Sequence, residues 1–355
     1  MRRTIAVIGG GAAGLMAAGF AAEEAGPGVE VHLFESTPDG GRKILISGGG
    51  RCNVLPGVAR YDDYVTDSSR NSLKRILRGW PLDEQVDFFT HELGIALKVE
   101  PETGKRFPVS NKARDVRDAL VERARRAGVV SHFSCRVTGV RPAAATSRSD
   151  VAAALSEAAG RWIVEFADRA AFEADRVIVA TGGLSVPKTG SEGAGLRWAE
   201  ALGHTVRTPY PALTPLTSNP HDWSDLAGVS LEVTLRAPGA RPAFSAHGGF
   251  LVTHRGFSGP TVLNASHLAI RSRDEASPPR LEVQWSDWDR EQWDHELVAA
   301  GSGSVGGMVG SRLPQRLARR LVEESGVPWD RSLARLTRTE RAQLATRLAA
   351  WPLPW

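Results

Sequence analysis

Three glycines near the amino end have the spacing of a phosphate cradle, Gly9-x-Gly11-x-x-Gly14. Between a strand and a helix, the first glycine permits a tight turn. The second lets backbone approach a pyrophosphate, and the third lets helix and strand pack closely. The helix N-terminus adds amide donors and a positive dipole end. Glu35 lies 21 residues past Gly14, at the end of the next apolar run. A carboxylate there accepts from a ribose 2′-OH and disfavours a 2′-phosphate. The expected ligand is therefore an ADP group, as in FAD or NAD, and local sequence fits both. The early position of the fingerprint, with no equally good second one, favours FAD.

A second anion-friendly stretch follows: Gly40-Gly41-Arg42-Lys43, then Ser47-Gly48-Gly49-Gly50-Arg51-Cys52-Asn53. Consecutive glycine amides can form a nest, and Arg42, Lys43 and Arg51 supply charge. Candidate catalytic groups are few. Cys52 is placed to donate a proton as a thiol, and His254 to contact substrate. Lys105 and Arg106 are candidates for an anionic substrate. His91, His204 and His295 read as scattered helix-face or turn residues. No Ser/His/Asp order and no metal-ligand cluster stands out, so no metal is expected. Gly301-x-Gly303-x-x-Gly306 repeats the bare glycine pattern, but without a preceding strand or a following acid it reads as a linker.

The elements that would position these residues are legible in outline. Thr4–Ile8 is a buried strand, a small-residue helix runs to about Ala25, and Val29–Phe34 is a second strand: a βαβ unit. Residues 36–57 read as glycine-rich loop. Residues 68–126 read as mostly helical, with an extended interlude near Leu97–Phe107. Val129–Val140, Trp162–Phe166 and Arg176–Ala180 are strand-like, and Pro142–Gly160 is an Ala/Ser-rich insertion. After residue 198, prolines mark a linker. Short alternating runs at Ser230–Leu235, Gly249–Thr253 and Leu281–Trp285 suggest a compact β domain. Gly301–Gly310 is expected to be a flexible link, and Leu313–Glu324 and Thr339–Ala349 amphipathic helices.

The 355 residues leave room for about two domains. The 42% apolar and 24% charged composition excludes a wholly disordered or collagen-like chain. The net charge is +4, and 38 of the 44 cations are Arg. Residues 42–126 hold 17 basic and 12 acidic residues, a local +5. Two cysteines, Cys52 and Cys135, form no CxxC pair and fit a reducing cytoplasm. Residues 1–22 imitate a signal peptide, but glycines at 9, 10, 11 and 14 break the run into strand, turn and helix. No later apolar run reaches the roughly 18 residues that would suggest a membrane span.

Several segments together resemble a known family: GGGAAGLMAA, FE, GRKILISGGGRCN, VIVATGGLSVPKTGSEGAGLRWAEALGH and LVTHRGFSGP. The chain is similar to bacterial FAD-dependent flavoproteins labelled aminoacetone-oxidase-like, bile-acid enone reductase-like or ribosomal RNA dihydrouridine synthase-like. The resemblance runs from residue 4 to about 349. It implies an α/β fold: a Rossmann-like, two-dinucleotide-binding-type FAD domain over 1–198, interrupted by a β-barrel insert over 199–300 and a helical part over 301–355.

By motif, the resemblance assigns Gly9, Gly11, Ala13, Gly14 and Glu35 to the ADP half of FAD. Arg42, Lys43, Ser47, Gly48, Gly49, Arg51 and Asn53 go to the pyrophosphate and isoalloxazine. Val137 offers its backbone to the adenine, and Ala180, Thr181 and Gly182 close over the cofactor. It implies hydride transfer from flavin to an electron-poor C=C, with RNA uridine as the first substrate class and a small enone as the second. Oxidation of a small amine, or flavin or RNA binding without catalysis, are the alternatives. NAD(P)H would be an external reductant.

The sequence departs from the pattern at Gly193-Ala194-Gly195, where an acid is lost, and at His247-Gly248-Gly249. The family's closing C-terminal segment has no match. The expectation is a truncated FAD domain, with the apolar end Leu353–Trp355 exposed and prone to self-association.

Overall fold

A computed structural model describes residues 2–66, 68–144, 160–220, 222–273 and 279–355. Most of the expected insertion, 145–159, lies outside the described residues. Backbone contacts divide the chain into two units, Met1–Arg207 and Thr208–Trp355.

In the first unit, β1 (Arg3–Ile8), α1 (Ala12–Glu24) and β2 (Val29–Phe34) form the expected βαβ unit. The apolar run of β1 is explained by burial on both faces, as parallel central strands require. It pairs in parallel with β2 on one side, and β2 carries a third strand, β6 below, on its far edge. The loop expected after Glu35 holds a short helix, α2 (Arg42–Ile46), and is followed by β3 (Leu55–Pro56). The 68–126 segment contains α3 (Arg70–Gly79), α4 (Leu82–Asp87), β4 (Leu97–Glu100), β5 (Lys105–Pro108) and α5 (Ala113–Arg126). Strands β3, β5 and β4 make a small antiparallel sheet.

Next come β6 (Val130–His132), the antiparallel set β7 (Val137–Pro142), β8 (Trp162–Phe166) and β9 (Phe172–Ala174), then β10 (Arg176–Val179) and α6 (Ala194–Ala201). The parallel sheet has the order β10-β1-β2-β6. Two cores form on it. One joins Leu15 and Ala18 of α1 to Val116, Leu120 and Ala124 of α5. The other joins Ile8 and Phe34 to Val137, Val140 and Val164 of the antiparallel set. The sheet is thus the middle of three layers. Small residues on α1 permit a close approach: Gly19 faces the guanidinium of Arg123, which sits 4.1 Å from the centre of the Phe20 ring.

The second unit begins with β11 (Leu216–Thr217), β12 (Ser230–Ala237), β13 (Phe244–Thr253), β14 (Gly256–Ser258), α7 (Pro260–Arg271) and β15 (Glu282–Gln284). It continues with α8 (Arg290–Ala299), α9 (Val305–Gly310), α10 (Gln315–Glu324), α11 (Arg338–Ala349) and β16 (Trp351–Pro352). Its antiparallel sheet runs β11-β14-β13-β12-β15-β16.

Three expectations change here. The strand part and the helical part of the insert, expected to be joined by a flexible link after residue 300, share one core that joins Phe250, Phe257 and Trp285 to Leu317, Leu344 and Trp351. Gly301–Gly310 is not a free link. Ser304 caps α9, Val305 and Val309 are buried, and Gly306 has no room for a Cβ beside the indole of Trp329. The apolar end is not open either. Trp351 pairs with Val283 and lies 4.1 Å, ring centre to ring centre, from Trp223, and Leu353 is buried. Pro354 and Trp355 stay exposed, Trp355 at 36%. An aromatic cluster in the sheet claims these residues, and their position in the sequence does not reveal it.

Among the described residues, no helix is long and apolar enough to cross a membrane.

Candidate dinucleotide site

The carboxyl ends of β1 and β2 open onto a cavity of about 1070 Å³, lined by residues of the first unit. Each fingerprint glycine has its own reason to lack a side chain. Gly9 turns at φ +104°, and a Cβ on it would lie 2.6 Å from the Ala180 carbonyl oxygen. A Cβ on Gly14 would run into the carbonyl oxygen of Gly9. Gly11 has nothing within 4 Å and faces open cavity. Gly11 is also the N-cap of α1 and offers no side-chain cap, so the first amides of the helix are left for a ligand. Ala13 lines the cavity beside it.

Glu35 is buried and already held. Its Oε2 accepts from the Gly10 amide at 2.6 Å, and its Oε1 from the Thr37 amide at 2.7 Å and Ser36 Oγ at 3.3 Å. Thr37 Oγ1, two residues on, is buried with no hydrogen-bond partner. The two glycine stretches are tied together, since the Gly41 amide donates to the Gly10 carbonyl at 2.8 Å. Arg42 and Lys43 line the cavity. Arg42 Nε is 3.3 Å from Asp39, and Lys43 Nζ donates to the Ser185 carbonyl at 2.8 Å.

The 47–53 loop divides. Ser47, Cys52 and Asn53 line the cavity; Gly48, Gly49 and Arg51 do not. Arg51 turns away because β4 and β5 offer it better partners. Its guanidinium bonds Glu100 at 2.5 Å and sits 4.3 Å over the Phe107 ring. Gly48 and Gly49, both at positive φ, shape the turn. Cys52 has a φ of 64°, and its amide donates to the Ser47 carbonyl at 2.9 Å. Burial pushes its thiol up to about 11. It therefore keeps its proton at neutral pH, and the charged form is the one that burial penalises.

Val137, Ala180, Thr181 and Gly182 form further wall. The Ala180 amide donates to the Ile8 carbonyl at 2.8 Å, which extends the β1–β10 ladder to the cavity rim. His254 belongs to the second unit, where it is exposed in the turn between β13 and β14. Lys105 and Arg106 lie on β5, also outside the cavity wall.

The cavity also gathers residues that the sequence reading passed over. Trp162, Trp198 and Val140 make an apolar end. Arg136 and Glu192 pair at 2.7 Å, and His204, read from sequence as scattered, lies on the wall. Position beside Val137 was the one signal available for Arg136, and the TGSEGAG run the one for Glu192.

This arrangement suits a flavin dinucleotide. An open glycine faces uncapped helix amides, an anchored carboxylate stands beside an unpartnered hydroxyl, and apolar walls line a volume just above the usual ligand range of about 300–1,000 Å³. Fold and cradle define a Rossmann-type, FAD-dependent oxidoreductase. The chain belongs to the family described as HI0933-like protein Rossmann domain, whose model matches residues 3–316.

It is 29% identical over 332 residues to the 3-dehydro-bile acid delta(4,6)-reductase of Clostridium scindens, covering 91% of this chain and 75% of that protein. It is 28% identical over 352 residues to the ribosomal RNA dihydrouridine synthase of Haemophilus influenzae, covering 97% and 80%. The Escherichia coli protein of that name is 27% identical over 351 residues, with 97% and 79% covered.

Proposed function

We propose that this protein reduces an electron-poor C=C, with uridine in RNA as the first substrate and a small enone as the second. The observation that carries the reading is one cavity whose wall includes both a dinucleotide cradle and the buried thiol of Cys52. The relatives' names support the reaction type, because both denote reduction of a C=C bond in a ring system.

Bound FAD, once reduced by an external donor such as NAD(P)H, would supply the hydride. The chain's own residues do the rest. Gly9, Gly11, Ala13 and Gly14 present backbone to the pyrophosphate. Glu35 takes the ribose hydroxyls, with Thr37 beside it. Arg42, Lys43, Ser47 and Asn53 hold the middle of the cofactor, and Val137 with Ala180, Thr181 and Gly182 holds the rest in place. Cys52 gives its proton to the carbon next to the one that takes the hydride, and regains a proton from solvent.

The test is anaerobic. The flavin is bleached with NADPH, and its recolouring by an oligouridylate and by a small enone is then followed. Cys52→Ser should leave bleaching intact and slow recolouring by about 10²–10⁴, the usual range for general acid catalysis. An unchanged single-turnover rate would remove Cys52 from the reaction. A flavin that bleaches and is recoloured by neither substrate would sink the reductase reading.

A further inference from the structure

A groove in the second unit carries charge that the reductase site does not use. Its volume is about 840 Å³, and it follows one face of α11 to Pro352 of β16. Arg338 and Arg347 stand nine residues apart along it, about 13 Å at 1.5 Å of rise per residue. Thr339 and Gln343, one turn apart, present side-chain hydrogen-bonding groups between them, and Arg280 enters from the segment before β15. The hydroxyl of Thr346 is turned back to the Ala342 carbonyl at 2.8 Å.

The groove holds one acid, Glu324, and it is saturated. It accepts from Arg320 Nε at 2.8 Å and from the indoles of Trp223 at 2.9 Å and Trp351 at 3.4 Å, with Arg347 Nη1 at 3.8 Å. Arg280 has Glu282 at 3.4 Å on the surface. Arg338 is exposed and has no carboxylate within ion-pair distance among the described residues. The local balance is therefore positive. Residues 301–355 as a whole hold nine Arg against four Asp and Glu, whereas 208–300 hold seven against eleven.

We propose that this groove holds the phosphodiester backbone of a single-stranded polynucleotide, whatever its base sequence. The identity of that strand as RNA rests on the uridine reading above. Three arginines spread along the groove, with Arg338 and Arg347 about 13 Å apart in helix rise, offer successive phosphates of a strand more contacts than one phosphate can make. Among the described residues no aromatic side chain lines the groove to stack a base, so the contacts are to backbone and position the strand without reading it.

The experiment uses the whole FAD-loaded protein. A labelled oligouridylate long enough to span the groove is titrated by fluorescence anisotropy between 50 and 200 mM salt. Replacing Arg280 and Arg338 together by Glu should weaken binding at least about tenfold. It should also flatten the log–log salt slope by about 1.4, at about 0.7 per phosphate contact. Arg338→Glu alone should give half that change in slope, Arg338→Lys should restore it, and Arg290→Glu, outside the groove, should leave it as in the wild type.

Unchanged affinity and slope in the double variant would overturn the proposal. So would displacement of the strand by UMP or inorganic phosphate at equal phosphate concentration, since that describes a mononucleotide pocket. The same preparations report separately on the reductase. A protein that binds the strand through these arginines but never reduces its uracils keeps the groove and loses the RNA-reductase reading. A protein that reduces an enone but binds no strand loses the groove and uridine in RNA as a substrate, and keeps the C=C reductase reading.

Discussion

Gly9–Gly14 and Gly301–Gly306 share the same bare pattern and have opposite roles. In the first, a parallel strand ends at Ile8, just before Gly9, and the helix begins with its amides facing a cavity. In the second, Ser304 Oγ takes the Gly307 amide at 3.1 Å, and the Gly306 amide donates to the Trp329 carbonyl at 2.9 Å. Its amides are already satisfied, and its missing side chains make room for an indole. Glycine spacing alone signals close approach by something; what precedes and follows decides whether that is a ligand or the chain itself.

The comparison can be broken at four positions. Gly14→Ala should have the largest effect, because the new Cβ meets a backbone carbonyl that cannot move alone. A loss of about 3 kcal/mol, the upper end of overpacking, is expected, together with loss of bound flavin. Melting and absorbance of the purified variant would report both. Gly306→Ala should cost about 2 kcal/mol by pushing on Trp329, yet leave about one flavin per folded chain. A colourless but folded Gly306 variant would erase the distinction between the two stretches.

Gly11→Ala reverses that outcome. Its Cβ meets nothing in the protein, so the melting temperature should hold while FAD affinity falls about tenfold, or 1.4 kcal/mol. Glu35→Gln should cost about 1 kcal/mol of FAD affinity through the lost charge, and should also lower the melting temperature, because one of the oxygens that accept from the Gly10 and Thr37 amides becomes an NH2 donor. Equilibrium release of flavin, followed by its fluorescence, would rank these last two.

The parts of the site legible in sequence are those written within one βαβ unit. Strand, turn, helix and terminal acid occupy 33 consecutive residues, Arg3 to Glu35, and their periodicities are local. Arg51 shows where that reasoning fails. Its neighbours in sequence are glycines and a polar loop, which suggest an anion site, but its partner Glu100 is 49 residues away. His204 and Trp198 fail in the other direction, as they reach the cavity wall only through the placement of α6. The buried end of the second unit is hidden in the sequence for the same reason: Trp351 looks like a loose terminus until the pairing of β15 with β16 places it among Trp223 and Trp285.

Glu35 carries a further consequence for how the protein matures. Its carboxylate is held by the Gly10 and Thr37 amides and the Ser36 hydroxyl of its own chain, so the pocket does not wait for a ribose to take shape. A freshly made polypeptide would then acquire its pigment by simple capture from solution. Colour should return to stripped protein at a rate proportional to the free flavin supplied, with no slow ordering phase behind it.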